Sequence, residues 1–401
     1  MKWKIKINSK VKVTLTFGIT ILCICIFLSI YPYFRPIDMP KWMTYPYDVT
    51  IYKGEATINT YLSDKPEIKI PKRIMGAKVC TIEAFAFDNL GTDAVILDIP
   101  QSVTYALFIY HHESQSYYHL YPNNEVIMGE YIGNEKKVEI PEEVWGRKVT
   151  GIERSFAGSD IEEVVIPKTV TSIGMGTFEG CKNLKEITLP SQIEEIKACA
   201  FEKAGIKKID LSENIKYLGP SAFAFSDINE VKGIENVEYI GVSAFRGTPW
   251  EESIEGDFVC IGDILHLYRG NDKEVIIPSS VTEIRGAFCM EEDYPYPVNV
   301  KKVFVPDSVT AISSHSFSGQ DKIEVYIPSS VMTLGRYDSS FTEPYTIFSE
   351  TWEQKSGTII TTAGSPAESY AIKLNIPYRI ITEEEMQQEM EAAKRRLNSN
   401  S

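Results

Sequence analysis

The sequence lacks the short motifs of nucleotide-binding and hydrolytic enzymes. It has no G-x-x-x-x-G-K-[S/T] or G-x-G-x-x-G phosphate loop, no G-x-S-x-G elbow and no Cys-x-x-Cys pair. Basic residues are also few, since 41 Lys and Arg stand against 55 Asp and Glu, a net charge of −14. Residues 1–35 hold six basic residues and no acidic one, which leaves 35 basic against 55 acidic residues elsewhere, a charge of −20. Because such a surface repels a polyanion, a nucleic-acid partner is not expected.

Long apolar runs are also scarce, and only one is long enough to form a membrane-spanning helix. Val13–Ile30 is an uncharged stretch of 18 residues that is just long enough to cross a bilayer as a helix. Five lysines precede it, so the positive-inside rule places residues 1–12 in the cytoplasm and everything after Tyr31 outside the cell. A cleaved signal peptide is the alternative, although no small-x-small cleavage site precedes Tyr31. Residues 31–46, rich in Pro and aromatic residues, predict an extended spacer at the membrane surface.

A repeat fills most of the remaining sequence. Length alone, at about 150 residues per domain, would favour two or three globular domains, but that estimate does not apply to a repeat array. Successive phenylalanines lie 22 or 23 residues apart, at Phe156, Phe178, Phe201, Phe223 and Phe245. The constant period predicts a solenoid, in which each repeat is one coil that buries its apolar face against its neighbours.

Each repeat has two halves with different patterns. The first, as in IEEVVI (161–166), alternates with period two and predicts a short strand, which a proline often ends. The second, as in VTSIGMGTF (170–178), places a phenylalanine after a [V/I]-x-x-[I/L] step. We expect the phenylalanines to stack into a spine. Glycines that follow the step, Gly174, Gly219 and Gly241, are expected where backbone passes close to backbone.

These residues resemble the BspA-type leucine-rich repeat of bacterial surface proteins. Residues 166–190 follow its consensus, IPxxVTxIGxxAFxGCxxLxxIxIP, and the likeness extends over residues 47–381. It implies a β-rich leucine-rich-repeat solenoid of short parallel strands with little helix, and adhesion to host or matrix proteins or to other cells. We predict three blocks, 47–109, 110–253 and 254–381, entered through hairpins within 52–71, 128–141 and 261–278. Trp250 is expected to cover the last coil of the middle block.

The C-terminal part predicts a closing segment followed by a polar helix. Residues 358–381 resemble the end of this family's arrays, with a strand, a short helix from Ser365 or Pro366 and a last strand. An array needs such a cap because its open end exposes core and unpaired backbone. Residues 382–401 predict a helical surface tail with Thr382 as N-cap and basic residues near its end. We expect no more of it than a polar extension.

One segment concentrates residues capable of chemistry, FIYHHESQSYYHLY (108–121), which holds three of the five histidines. In a hairpin over residues 105–121, His111 and His119 would face each other across the strands and His112 would point to the other face. Two ligands without a clear third make a poor zinc site, so an exposed hairpin is favoured, with no cofactor and no catalytic residue. Five cysteines lie outside the membrane segment, and they favour buried apolar side chains with at most one or two disulfides.

What remains is a surface. Residues between the apolar strand positions are expected to line a concave sheet roughly 45–50 Å long, for strands 4.8 Å apart. Curved repeat arrays bind their partners on such faces. The alternative is that these residues are merely solvated strand positions. The residues proposed for the face are Glu162, Glu163, Lys185, Glu186, Thr188, Lys207, Lys208, Asp210, Asn229 and Glu230.

The sequence therefore favours a non-enzymatic membrane-anchored protein with a single crossing and an extracellular C-terminal region, or a secreted one if residues 13–30 are cleaved. Its expected partners are an extracellular protein or glycan, and the membrane through the N-terminal helix. Two alternatives stay open. One is a structural scaffold that organises partners on the envelope of the same cell. The other, less favoured, is a metal-using enzyme that works through the 105–121 insert.

Overall fold

The structure is a computed structural model in which two compact units are distinguished. The first unit comprises Met1–Ser155 and Val164–Thr171, and the second comprises Phe156–Glu163 and Ser172–Ser401. The predicted membrane segment 13–30 lies outside the described residues, among which no helix is both long and apolar enough to cross a bilayer. The residues described are 37–39, 41–63, 65, 67–83, 86–87, 95–103, 107–289, 300–320, 322–336, 346–348 and 357–400.

The described residues of the first unit form short strands and one helical turn. The first five-stranded sheet has the order β1-β2-β3-β6-β5, in which β2 and β3 form a hairpin and β6 runs parallel to β3. Part of the predicted spacer thus begins this sheet, because β1 pairs with β2. The elements are β1 (Ile37–Asp38), α1 (Lys41–Thr44), β2 (Tyr47–Tyr52), β3 (Glu55–Tyr61), β4 (Glu67–Lys69), β5 (Arg73–Ile74), β6 (Ala77–Ile82), β7 (Val95–Asp98), β8 (Leu107–His111), β9 (Ser116–Leu120), β10 (Val126–Tyr131), β11 (Lys137–Glu139), β12 (Glu143–Val144), β13 (Arg147–Lys148) and β14 (Gly151–Ile152).

The second unit begins with the regular coils and ends in two helices. Strand β15 (Glu163–Val165) lies where the two units meet in sequence. The other elements are β16 (Ser172–Ile173), β17 (Glu195–Ile196), β18 (Lys208–Asp210), β19 (Tyr217–Leu218), β20 (Glu230–Lys232), a 3-10 turn (Ile234–Asn236), β21 (Tyr239–Ile240), α2 (Pro249–Glu252), β22 (Phe258–Ile261), β23 (Ile264–Tyr268), β24 (Glu274–Ile276), β25 (Glu283–Ile284), β26 (Lys302–Phe304), β27 (Ala311–Ser313), β28 (Glu324–Tyr326), β29 (Thr333–Arg336), β30 (Thr358–Thr361), α3 (Pro366–Leu374), β31 (Tyr378–Ile380) and α4 (Glu383–Asn400).

Parallel ladders stack the coils of the second unit. In the regular coils, β16-β17-β19-β21 form one ladder and β18-β20 another. In the C-terminal coils the two ladders are β22-β23-β25-β27-β29 and β24-β26-β28-β30-β31, parallel except for the β22/β23 hairpin. Both halves of the repeat therefore supply strands, although only the first half was predicted to. Residues 184–190 carry no strand where the pattern predicts one.

The phenylalanine spine is confirmed. The rings of Phe156, Phe178, Phe201, Phe223 and Phe245 stack with centroids 5.1 to 5.5 Å apart and planes within 20° of parallel. Backbone hydrogen bonds between neighbouring coils recur at the same positions of each repeat. One example runs from the Phe201 N–H to the Ala222 carbonyl at 2.7 Å. Trp250 packs on the last ring, Phe245, at 4.6 Å, as expected. Each coil therefore repeats both its ring and its hydrogen bonds in the next.

Two of the three glycines lie where backbone meets backbone, as predicted. A Cβ on Gly219 would lie 2.4 Å from the Ala198 nitrogen, and one on Gly241 would lie 2.4 Å from the Pro220 nitrogen. Real Cβ atoms do not approach backbone so closely, so only glycine fits at these two positions.

A second row of aromatic rings, with interplanar angles of 17 to 41°, runs through the C-terminal coils. Tyr268, Phe288, Phe317 and Phe348 follow one another with centroids 5.2 to 6.0 Å apart. Phe348 fills the place left by the repeat at Val331–Leu334, which has no phenylalanine at the usual distance. Tyr268 belongs to the opening hairpin of these coils, and in the first unit Tyr61, on β3, packs beside Phe87 with centroids 5.6 Å apart.

Two of the three predicted hairpins exist but are shifted. The turns of β2/β3 and β22/β23 fall at residues 53–54 and 262–263, so each hairpin begins before its predicted window. The window 128–141 contains no hairpin of its own, because β10 pairs back onto β9. A strand outside each predicted window thus supplies the antiparallel partner.

The closing segment has the predicted order of strand β30, helix α3 and strand β31. Ser365 is the N-cap of α3, since its hydroxyl accepts a hydrogen bond from the Glu368 N–H. The Val/Ile row of the C-terminal ladder, together with Ala367 and Ala371 of α3, belongs to one buried cluster. None of the five described cysteines is in a disulfide, and the Sγ of buried Cys181 donates to the Phe156 carbonyl at 2.9 Å.

Candidate binding surface

Strands β18 and β20 place charged side chains opposite one another. Lys208 lies opposite Glu230, and Asp210 lies opposite Lys232, so opposite charges alternate in both directions of the ladder. The Lys208 ammonium also lies 3.2 Å from a carboxylate oxygen of Glu186, on the preceding coil. Cross-strand pairs of opposite charge stabilise a sheet modestly and leave its face hydrated. The surface therefore presents charged groups of both signs to solvent.

All ten residues proposed for the face are exposed. The structure brings Glu186, Lys208 and Glu230 into one row across three coils. Lys185 belongs to a second group, since its ammonium donates to the Lys182 carbonyl at 2.6 Å and lies 3.9 Å from Asp227. Thr188 stands on the segment without strand structure.

One lysine of this surface has a shifted pKa. The pKa of Lys232 is raised, chiefly by its hydrogen bond to Glu230 and then by the charge of that carboxylate. The two groups lie 3.0 Å apart on neighbouring outward positions of β20. The lysine therefore stays charged over the whole physiological range of pH.

The predicted pairing of His111 with His119 is wrong. Strands β8 and β9 do form a hairpin, but its register sets His111 opposite Ser116 and His119 opposite Phe108. Because side chains alternate along a strand, the two imidazoles lie on opposite faces of the hairpin. No group of three or more His, Cys, Asp or Glu side chains with metal-binding geometry occurs among the described residues. The hairpin thus offers no chemistry as a histidine pair.

His111 instead belongs to a buried aromatic cluster. Its ring packs edge-on against Tyr118 at 5.9 Å and Trp145 at 5.3 Å, and its Nδ1 lies 2.9 Å from the Ser114 hydroxyl. Burial lowers the pKa of His111, against the opposing charge of Glu113. The imidazole is therefore a neutral core residue near pH 7.

Two arginines that the sequence analysis missed cross the gap between the regular and C-terminal ladders. Arg285 donates to the Ile240 carbonyl at 2.9 Å, and Arg246 donates to the Cys289 carbonyl at 3.0 Å. Both side chains are buried, at 5% and 3% exposure. Arg285, from the C-terminal coils, binds a carbonyl of the regular coils, and Arg246, from the regular coils, binds a carbonyl of the C-terminal coils. The two side chains therefore connect the two sets of coils in both directions.

Further contacts hold Arg285 in place. Glu283 binds its guanidinium through both carboxylate oxygens, at 2.6 and 2.9 Å, and the Tyr239 ring lies 4.6 Å from it. The sequence carries one signal of this role. Arg285 follows Ile284 at the position that Gly219 and Gly241 occupy in their repeats.

Helix α4 covers an apolar row on the C-terminal ladder. Met386 and Ala393 of the helix form a buried cluster with Phe304, Tyr326 and Ile360, and Ile276, Ile381 and Met390 pack against it. Arg396 donates to Glu274 at 2.7 Å. The helix is thus more than a polar extension. It occupies the part of the C-terminal ladder that corresponds to the exposed face of β18 and β20.

Comparison with known proteins identifies the repeat. Residues 152–258 and 267–347 match, in six copies, the family model described as BspA type Leucine rich repeat region. A search of curated proteins found no match.

Solved leucine-rich repeat structures are similar to the chain at low identity. One from Eubacterium ventriosum is 20% identical, covers 63% of this chain and 71% of its own, and has a TM-score of 0.33. One from Bacteroides ovatus is 18% identical; the match covers 79% of this chain and 69% of the other, with a TM-score of 0.31. A leucine rich cell surface protein from Faecalibacterium prausnitzii is 19% identical; the match covers 84% of this chain and 98% of the other, with a TM-score of 0.27. On the six matched copies, residues 152–258 and 267–347 are a BspA-type leucine-rich repeat region.

Proposed function

We propose that the chain is a membrane-anchored extracellular protein that binds a protein or glycan through the exposed charged face of its repeats, without catalysis. The observation that carries this proposal is the row Glu186, Lys208 and Glu230, which presents exposed charges in register across successive coils. Repeat arrays use such extended surfaces to bind partners. The repeat family and the basic N-terminal segment support a place at the cell surface.

A binding screen with the full-length chain in detergent tests the proposal. Matrix proteins, a glycan array and intact neighbouring cells serve as ligands, and saturable binding to at least one is expected. Lys208→Glu should weaken that binding about tenfold, because it reverses a charge in the centre of the face. The matched control is Lys216→Glu, since Lys216 lies 50% exposed in a pair with Glu238 outside this face. Control and wild type should bind alike.

Absence of saturable binding to every ligand would overturn the adhesive function. Co-purification with envelope proteins of the same cell, in that case, would favour the scaffold. Protease added to intact cells tests the location separately, and we expect it to cleave the repeats from outside. Repeats that stay intact until the cells are lysed would contradict the extracellular placement.

A further inference from the structure

The C-terminal ladder carries apolar residues on both faces, unlike the regular one. Val275, Val303 and Val325 point into the main core cluster, as the middle residues of their strands. The residues that follow them, Phe304 and Tyr326, belong to a separate cluster on the outer face. The corresponding outer residues of β18 and β20 are Asp210 and Lys232, which are exposed. The outer face is thus charged and exposed in the regular coils, and apolar and covered by α4 in the C-terminal coils.

The outer apolar row forms a groove of defined chemistry. We call groove row the residues Ile276, Phe304, Tyr326 and Ile360, which are neighbours in register on β24, β26, β28 and β30. Phe304 and Tyr326 stack with centroids 4.4 Å apart, and both are almost fully buried under α4. Glu274 lies on β24, two residues before Ile276, with its side chain 23% exposed. The groove row is therefore an apolar strip, and Glu274, Lys302 and Glu324 form a charged row beside it on the same face.

Helix α4 meets the groove row with few side chains. Met386, Met390 and Ala393, at positions i, i+4 and i+7, supply its apolar contacts, and Arg396, at i+10, supplies the ion pair with Glu274. This is the spacing by which an amphipathic helix binds in a groove. Methionine suits reversible contacts because its flexible side chain adapts to different surfaces.

The helix is also a self-contained element. Its N-terminus is closed by a capping box, since the Glu385 N–H donates to the Thr382 hydroxyl and the Thr382 N–H donates to the Glu385 carboxylate. Only Ile381 and Thr382 join it to β31. Because the main core cluster contains no residue of α4, the helix can leave the groove row without opening that core.

We propose that the groove row is a binding site for an amphipathic helix of a partner protein, and that α4 is its resident occupant. The partner helix carries apolar side chains at i, i+4 and i+7 and a basic residue at i+10, as α4 does. Binding requires α4 to leave, so α4 competes with the partner and sets its apparent affinity. This site is distinct from the charged face of β18 and β20.

A labelled peptide with the sequence of residues 382–401 is the probe, and fluorescence anisotropy reports its binding to the full-length chain in detergent. Met386→Glu combined with Met390→Glu should release α4, so this variant should bind the peptide saturably and at least about tenfold more tightly than wild type. Gln387→Lys combined with Gln388→Lys places two charges on the exposed side of the helix, where Glu391 and Glu384 can still be paired, and should behave as wild type. A peptide that carries the two Met→Glu changes should not bind.

Equal binding by wild type and the release variant, or no binding by either, would overturn the proposal. Hydrogen exchange on the wild-type chain provides a second test that needs no substitution. Amides of α4 should exchange at least about a hundredfold faster than those of β26 and β28, because the helix opens locally. Exchange of the helix and these strands at the same rate would show that α4 does not leave the groove row, and would equally overturn the proposal.

Discussion

Arg285 donates from its guanidinium to the main-chain carbonyl of Ile240, 45 residues earlier, at 2.9 Å. The bond joins β21, the last strand of one ladder, to the coil that follows β25 in the next. The Arg285 side chain thus supplies a hydrogen-bond donor to the edge strand β21 at the point where strand pairing stops. Unpaired strand edges expose backbone groups that otherwise remain unsatisfied when buried.

Arg285→Leu should destabilise the second unit by about 3 kcal/mol. The change leaves the Ile240 carbonyl without this donor and removes the partner of Glu283, whose side chain is only 17% exposed. The midpoint of urea denaturation, followed by circular dichroism, measures the effect. Lys208→Ala is the control, because its pair with Glu186 is exposed and should contribute about 0.5 kcal/mol or less. Similar losses in both variants would show that the buried contact has no special role.

Phe201→Ala should cost about 3–5 kcal/mol, because it removes a fully buried ring from the centre of the stack. Differential scanning calorimetry measures the change as a lowered melting temperature. Met332→Ala should have almost no effect, since that side chain is 70% exposed. A small loss at Phe201 would mean that the neighbouring coils collapse into the cavity.

Substitutions at two glycines distinguish the cost of a steric clash from the cost of an unfavourable backbone conformation. At Gly219 a Cβ would lie 2.4 Å from the Ala198 nitrogen, so Gly219→Ala should force the coils apart and cost about 2–3 kcal/mol. At Gly158 the space is open but φ is 68°, so Gly158→Ala should cost about 1 kcal/mol. Denaturation midpoints of the two variants rank the effects. The reverse order would contradict the close approach at Gly219.

His266 should make stability depend on pH. Burial, and secondarily the charge of Arg285, lowers the pKa of His266 to about 3. In the unfolded chain the imidazole takes up a proton near pH 6.5, and in the folded chain it does so only near pH 3. The contribution of the neutral imidazole to the free energy of unfolding is therefore complete above about pH 6.5. It is lost progressively as the pH falls from about 6.5 to about 3.

His266→Phe should remove this dependence. At pH 4.5 the variant should lose about 2 kcal/mol less of its free energy of unfolding, relative to pH 7.5, than wild type does. Phenylalanine is a suitable replacement because the His266 Nε2 has no hydrogen-bond partner among the described residues. Urea denaturation at the two pH values measures the difference. Parallel pH profiles would show that His266 is accessible to protons in the folded protein.

The repeat made the coils predictable because the same contacts recur at a constant spacing. Phe178 and Phe201 had to meet once the coils were stacked, and Gly219 and Gly241 had to pass close to the neighbouring backbone. The sequence pattern did not determine the place of His111. In the observed register Ile109, Tyr118 and Leu120 lie on the face of His111, but the alternation did not specify that register, and a shift of one residue changes which side chains share a face.

Two further features depend on contacts between residues that are distant in sequence. Arg285 could be recognised only as a departure from glycine at its repeat position, and its acceptor, Ile240, belongs to another coil. The cover formed by α4 did leave a signal in the strands, which read EVIIP, KVFVP and EVYIP. Such unbroken apolar runs are typical of strands that are buried on both faces.

The hairpin β22/β23 has a consequence for the order of folding. Its strands are joined by two residues, so they can pair as soon as they leave the ribosome or the export channel. Each later coil then finds a strand edge and an aromatic ring already in place, beginning with Tyr268 under Phe288. Contacts that reach only one coil back keep the loop-closure entropy small at every step. The C-terminal array should therefore fold vectorially, in the direction in which the chain emerges.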